Sequence, residues 1–446
     1  MALIWVQAVV DFSSPTAGEW QSGEIDEIDD SFATQLITAG YLIPYTGPLP
    51  PSDGAHISGY TANIDARLDL LDTAVAGLGT TVSAHTAAVD PHGYAPTALR
   101  TWYAALANRH YAPAKIVTLG GSTSEGYGST VHSRQLYQQL AARLRGRYPV
   151  AGAVGGPGLI PPVTLTAGMT YPAVLSGGAA ASVAYGGWVY RSATIQTSTG
   201  QAITYTVTCS DFEIIFSRYT GFGHFTYSID GGGTVDVNTS GATSRWVSTG
   251  VISAGSSGAH TIVIAWASTN PVIIRGLIAH DGDSAAGIQI YDGGHSGYTS
   301  TQYVAMTDTA GGITAIQPHL VFVDLGRNDY GASPQVAPAT MRTNIESLLT
   351  LIRGACSTSP SFVLYVSQQL GGTITPTPTY SWSDYRAAYA AIAAAATDVS
   401  IFDLSTRQVA PLVSNALGLY NGDWAHLSDK GHSAVADVLA QFLSPR

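Results

Sequence analysis

The chain is poor in charge and has no long apolar run. Charged residues make up 11% of its 446 positions, against roughly 25% in ordinary soluble proteins. Lys115 and Lys430 are its lysines, and the net charge is −11. Binding to nucleic-acid phosphates needs clustered basic residues, so this composition argues against that class of function. Because no apolar stretch reaches about 18 residues, we expect no membrane span.

Cysteine is also scarce, and nothing in the pattern points to a bound metal. Cys209 and Cys356 are too few and too far apart for a disulfide framework or a cysteine-rich metal site. The N-terminus is apolar but lacks a basic flank, so we expect no signal peptide. We expect no metal and no cofactor, since no recognisable ligand spacing occurs in the polar stretch that holds His280, Asp281, Asp283, Asp292 and His295.

The first 60 residues have an irregular texture. Acidic residues are concentrated in positions 24–30, and proline and glycine are concentrated in positions 43–51. Prolines and glycines interrupt regular structure. We therefore predict that residues 1–60 form an N-terminal attachment segment and linker.

Residues 61–95 carry a heptad pattern. Apolar positions alternate in steps of four and three, which predicts a short coiled-coil helix. Such a helix cannot bury its seam alone, so we expect a homo-oligomer formed through residues 64–89, unless the helix lies on the chain's own core. Pro91 and Gly93 end the pattern. The seam comprises Ile64, Leu68, Leu71, Val75, Leu78, Val82, His85 and Val89.

Two stretches, 96–164 and 279–446, alternate short apolar runs with helical patterns. This alternation predicts an α/β fold, a flavodoxin-like parallel sheet with helices on both faces. The predicted strands are 116–119, 288–291, 320–325, 362–366 and 401–404. The predicted helices are 134–147, 341–353, 385–396 and 429–442.

Residues 165–278 interrupt this pattern with period-two alternation. Short strands without helices predict an inserted antiparallel β-sandwich. Its aromatic residues could form a sugar-stacking face, although aromatics in sandwiches more often belong to the core. These residues are Trp188, Tyr190, Phe225, Tyr227 and Trp246.

Four short motifs fall where strands of a parallel sheet end, or in the last loop. Ser122 follows the first strand, in Gly120-Gly121-Ser122, where open α/β sheets place their sites. Asp423 and His426 lie three residues apart, so a carboxylate could orient an imidazole base for a serine nucleophile. Gly297 and Asn328 follow the second and third strands and could donate to an oxyanion. Alone, each motif is an ordinary turn; their convergence on one edge favours catalysis.

The order Gly-x-Ser, Ser-Gly, Gly-x-Asn-Asp and Asp-x-x-His resembles the four blocks of the SGNH (GDSL-type) esterase superfamily. The resemblance implies that Ser122 is the nucleophile, His426 the base and Asp423 its orienting acid. It implies oxyanion donors at Ser122, Gly297 and Asn328. The family often has Asp before the nucleophile, where this chain has Gly121. Position 124 is Ser, so the Gly-x-Ser-x-Gly elbow of α/β-hydrolases is absent.

The N-terminal quarter, including the run from Ala84 to Tyr94, resembles bacteriophage tail-fibre and minor tail proteins. That resemblance implies a trimeric virion component that acts outside the cell on the host envelope. Together, the two resemblances imply a tail esterase that removes O-acyl groups, O-acetyl above all, from a cell-surface polysaccharide. Two alternatives stay open: an esterase of actinobacterial envelope lipids, and a receptor-binding fibre with a vestigial hydrolase site.

Overall fold

The structure is a computed structural model, in which the chain divides into two compact units, Met1–Ala88 and Val89–Arg446. The predicted coiled coil of residues 61–95 lies outside the described residues, so it stays a prediction, as do the trimer and the domain boundaries. The described residues are 3–8, 12–14, 18–20, 25–29, 34, 36–38, 42–44, and 97–445 without 165, 183–186, 188, 190–192, 197–199, 307–310, 333, 370–377, 409–410 and 424.

The first unit contains short antiparallel strands. Strand β1 pairs with β4 and β5, and β2 pairs with β3. Ile4, Trp5 and Val6 in β1 are strand-forming residues, and they pair with the acidic strand β4. The predicted role of residues 1–60 as an attachment segment and linker stays a prediction. The strands are β1 Leu3–Ala8, β2 Phe12–Ser14, β3 Gly18–Trp20, β4 Ile25–Asp29 and β5 Leu42–Pro44.

Strands of the second unit join in one mixed sheet. They are β6 Ala114–Gly120, β7 Gly158–Ile160, β8 Ala173–Ser176, β9 Ala180–Ser182, β10 Ala193–Gln196, β11 Ala202–Arg218, β12 His224–Ile229, β13 Val235–Asn238, β14 Ser244–Ser248, β15 Ile252–Trp266, β16 Val272–His280, β17 Ile288–Gly294, β18 Leu320–Asp324, β19 Ser361–Val366 and β20 Val399–Asp403.

The helices include the four that the sequence predicts within 96–164 and 279–446. They are α1 Arg100–Ala107, α2 Ser122–Glu125, α3 Leu136–Arg147, α4 Ser300–Val304, α5 Gly311–Ile316, α6 Arg327–Gly331, α7 Pro338–Ala355, α8 Trp382–Ala394, α9 Pro411–Ala416 and α10 Asp429–Phe442, with 3₁₀ turns at His132–Arg134 and Leu404–Thr406.

The parallel part of the sheet has the order β7-β17-β6-β18-β19-β20. Its five longer strands are those predicted from the sequence. If these five strands are numbered in chain order, they lie side by side in the sheet in the order 2-1-3-4-5, which is the flavodoxin-like order. Successive residues face opposite sides of a strand. Accordingly, Ile116 packs in a core with α1, α3 and α10, and Val117 in a core with α7 and α8. The predicted fold, with helices on both faces, is confirmed.

The inserted strands are antiparallel and continue this sheet. Strand β11 pairs with both β15 and β16, and β16 pairs with β7. Every residue of β16 is buried, as suits a strand between neighbours. The expected sandwich is not confirmed, since the described strands form one connected sheet with an apolar core of its own.

The aromatic residues named above differ in their surroundings. Phe225 is fully buried in the core of the insert, so it is not available for sugar stacking. Tyr227 and Trp246 are half-buried and pack against core residues. Trp188 and Tyr190 lie outside the described residues. Among the residues that are described, no helix is both long and apolar enough to cross a membrane.

Candidate active site

Ser122 stands at the turn between β6 and the one-turn helix α2. It is the first residue of that helix and is 9% exposed. Gly126 ends the helix with a φ of 89°, a conformation that glycine adopts at little cost. A Cβ at Gly121 would lie 2.7 Å from Nδ2 of Asn328. The backbone at Gly121 therefore lies close to the Asn328 amide.

His426 and Asp423 come from the loop before α10. The Oγ of Ser122 lies 2.7 Å from Nε2 of His426, and Nδ1 of His426 lies 2.5 Å from Oδ2 of Asp423. The other carboxylate oxygen, Oδ1, accepts the backbone N–H groups of Ala425 and His426 at 2.9 and 2.8 Å. The aspartate therefore shapes the same short turn that presents the imidazole. A hydroxyl, an imidazole and a carboxylate are aligned in hydrogen-bond reach.

The environment of the pair lowers the pKa of both the imidazole and the carboxylate. Burial lowers the pKa of His426; the hydrogen bond and charge of Asp423 oppose this, the Arg327 charge adds to it, and the net pKa is lowered. For Asp423, burial raises the pKa, but hydrogen bonds from His426 and Ala425 outweigh it and leave the pKa lowered. A neutral imidazole beside an ionised carboxylate is the state that a general base needs.

The sequence names three potential oxyanion donors, on Ser122, Gly297 and Asn328. Within the described part of the chain, neither the Ser122 nor the Gly297 backbone N–H donates a hydrogen bond. Gly297 has a φ of 83°, so the loop after β17 needs glycine there. The Nδ2 of Asn328 donates one hydrogen to the Tyr298 carbonyl at 2.8 Å. An amide carries two such hydrogens, so one remains for a ligand.

The last residue of β17 is packed tightly against the nucleophile helix. A Cβ on Gly294 would lie 2.3 Å from the Glu125 nitrogen, and the Tyr298 carbonyl accepts a hydrogen bond from the Asn328 amide.

All five residues that the sequence selects lie on the carboxyl-end side of the parallel sheet. They are Ser122, Gly297, Asn328, Asp423 and His426. No group of three or more His, Cys, Asp and Glu able to hold a metal occurs among the described residues.

The sequence reasoning missed several residues around this site. The ring of Tyr127 lies over His426, with centroids 4.0 Å apart. Arg327 carries a buried Nε and Nη2 without hydrogen-bond partners in the described structure, and its charge acts on His426. Glu125 is fully buried. Glu125 and Tyr127 immediately follow the Ser122 motif, and Arg327 precedes Asn328, so proximity along the chain was the available signal.

Comparisons with known proteins relate the chain to a family of acylhydrolases and to solved esterases. Residues 255–434 match the model of the GDSL-like Lipase/Acylhydrolase family. A solved peptidoglycan O-acetylesterase superposes with a TM-score of 0.56 at 15% identity, covering 78% of this chain and 95% of that one. A family two carbohydrate esterase from Clostridium thermocellum gives a TM-score of 0.28 at 14% identity, covering 56% and 94%. No curated protein sequence matches the chain.

The fold and the family match together define the class, which is that of the serine ester hydrolases. Within this class, the chain carries a GDSL/SGNH acylhydrolase domain. The residues that match the family model include the loop after β17, Asn328, Asp423 and His426. Ser122 precedes the matched segment and reaches the site through strand β6, which lies between β17 and β18.

Proposed function

We propose that Ser122 is the nucleophile, His426 the general base and Asp423 its orienting acid. The observation that carries this assignment is the 2.7 Å distance between Ser122 Oγ and His426 Nε2, with Asp423 on the other ring nitrogen. We assign the oxyanion donors to the backbone N–H groups of Ser122 and Gly297 and to the amide of Asn328.

The reaction runs in two acyl-transfer steps. His426 takes the Ser122 proton as Oγ attacks the ester carbonyl, and the three donors stabilise the resulting oxyanion. The intermediate expels the alcohol, which takes its proton from His426, and an acyl-serine remains. Water, deprotonated by His426, then attacks the acyl-serine; the intermediate expels Ser122 Oγ, which takes its proton back from His426, and the carboxylic acid is released. An oxyanion donor typically contributes about 10²–10³ in rate.

For the substrate, we propose O-acyl esters, chiefly O-acetyl, on a cell-surface polysaccharide. The fold neighbour with the 0.56 TM-score is a peptidoglycan O-acetylesterase. That activity belongs to the neighbour, and it supports the choice of acetyl esters for this chain. The aromatic residues of the insert that remain half-buried, Tyr227 and Trp246, stay candidates for contact with a glycan.

For the biological setting, we propose a bacteriophage tail protein, a homotrimer joined through residues 64–89, that acts on the host envelope outside the cell and associates with other virion proteins. The support is the heptad pattern and the tail-fibre resemblance of the N-terminal quarter. A mass in sedimentation near three times 46.3 kDa supports the trimer, and a mass near 46.3 kDa contradicts it.

The substrate proposal is tested with nitrophenyl esters of increasing acyl length and with O-acetylated polysaccharide, comparing wild type and Ser122→Ala. We expect fastest turnover of acetyl esters, acetate release from the polysaccharide, and loss of both in the variant. Preference for long acyl chains would select the envelope-lipid alternative. Binding to host cells without turnover of any ester would select the vestigial-site alternative.

A further inference from the structure

A second buried carboxylate lies next to the triad without belonging to it. Glu125 is the last residue of α2, three positions after Ser122, and its side chain is completely buried. A buried carboxylate is costly unless hydrogen bonds satisfy it. Its partners therefore indicate what the residue does.

The two oxygens of Glu125 hold two different segments. Oε2 accepts the backbone N–H of Ser296 at 2.8 Å. Oε1 accepts the Thr164 hydroxyl at 2.8 Å and the Thr166 backbone N–H at 3.1 Å. Ser296 immediately precedes Gly297 in the loop after β17. Thr164 and Thr166 belong to the chain that leads from β7 into the inserted strands.

We propose that Glu125 is a positioning residue that fixes the Ser296–Gly297 peptide relative to the nucleophile. The Ser296 N–H is anchored on the same short helix that begins with Ser122, so the neighbouring Gly297 N–H is held at a set distance from the Ser122 hydroxyl. Oxyanion stabilisation depends on donors that are in place before charge develops. The inference rests on the proposed roles of Ser122 and Gly297, whichever ester is the natural substrate.

The residue type fits this task. A carboxylate offers acceptors, and the three described groups, the Ser296 N–H, the Thr164 hydroxyl and the Thr166 N–H, each donate a hydrogen bond to Glu125. The strand that leads into the loop also lies close to α2, because a Cβ on Gly294, the last residue of β17, would lie 2.3 Å from the Glu125 nitrogen and 2.7 Å from its Cα. The loop therefore starts from a position close to the helix, and the carboxylate holds it two residues further on at Ser296.

The test compares an acetyl nitrophenyl ester with the matched thionoester, in which sulfur replaces the carbonyl oxygen. Sulfur is a weak hydrogen-bond acceptor, so the thionoester gains less from oxyanion donors. The ratio of the two kcat/KM values reports donor placement. It does not depend on the fraction of folded enzyme, so a variant of low stability still gives a valid result.

The variants are Glu125→Leu, Glu125→Gln and Thr164→Val. Glu125→Leu removes every acceptor, so the Gly297 N–H is no longer held in position. We expect the ratio of oxygen-ester to thionoester kcat/KM to fall about 10- to 100-fold, toward the ratio of Asn328→Ala. Glu125→Gln keeps one acceptor for Ser296 and should retain most of the ratio. Thr164→Val is the matched control, since it removes a contact to Glu125 and leaves the Ser296 bond; its ratio should equal that of wild type.

The outcomes separate this proposal from the proposed function. A wild type with no ester turnover would overturn both. A wild type that prefers the oxygen ester, with the same preference in Glu125→Leu, would overturn the positioning role alone. A Thr164→Val ratio as low as that of Glu125→Leu would also overturn it, because the effect would then come from the insert side of the carboxylate.

Discussion

Replacing Gly121 by alanine tests how closely the chain is packed at the oxyanion donors. The added Cβ would lie 2.7 Å from Nδ2 of Asn328, whereas its other neighbours, Asn328 Cγ and the Tyr298 carbonyl oxygen, stay at 3.7 and 3.9 Å. The φ of Gly121 is −86°, so no left-handed conformation is lost. The substitution therefore acts by displacing one amide.

The upper limit of the effect is the loss of one oxyanion donor, about 2.7–4 kcal/mol or 10²–10³ in rate. We expect kcat/KM of Gly121→Ala on an acetyl nitrophenyl ester to fall toward that limit, mainly through kcat. Because the effect acts through Asn328, it should largely disappear in an Asn328→Ala background. The two substitutions are then strongly non-additive, as contacting residues are.

The matched control is Gly146→Ala in helix α3, where a Cβ meets nothing within 4 Å. It should leave activity unchanged and stabilise the helix by roughly 0.5–1 kcal/mol. Full activity of Gly121→Ala, or an additive loss in the double variant, would refute the contact between position 121 and the oxyanion amide.

Two further predictions concern pH. Burial and the Arg327 charge lower the pKa of His426, so the acid limb of the kcat/KM profile should lie below the ordinary histidine pKa of about 6.5. Arg327→Gln removes the charge and should move this limb to higher pH, whereas Arg327→Lys keeps the charge and should leave the limb in place. An acid limb at the same pH in Arg327→Gln and wild type would contradict this. Burial raises the pKa of Asp324 to about 7 against the hydrogen bond from Ser124 and the Arg327 charge. Stability from this group is complete below its unfolded pKa of about 3.9 and is lost as pH rises through about 7. Asp324→Asn should therefore narrow the difference in Tm between pH 5 and pH 8, and an unchanged difference would refute the assignment.

Local sequence patterns predict the parallel sheet well because its strands are buried on both faces. Runs such as Leu320–Asp324 contain no polar residue before their last position, and turn residues bound them. Because β6 and β18 are parallel neighbours, their carboxyl ends lie at one edge of the sheet, so the Ser122 turn and Asn328 come close although about two hundred positions separate them. Convergence of motifs at strand ends was therefore a usable signal.

Other features depend on contacts that no local pattern contains. Strand pairing gives the acidic segment Ile25–Asp29 regular structure, and its charge gave no sign of this. The insert continues the catalytic sheet because β16 pairs with β7, and alternation alone cannot distinguish that from a sandwich. The Glu125 carboxylate accepts hydrogen bonds from Ser296 and Thr164, which lie 171 and 39 positions away along the chain.

The assignment of the nucleophile is tested most directly by covalent labelling. Reaction with a fluorophosphonate, followed by peptide mass spectrometry, should place one adduct per chain on Ser122 and abolish ester turnover in proportion. Inactivation with the adduct on another residue, or full labelling of Ser122 with turnover intact, would contradict the central claim.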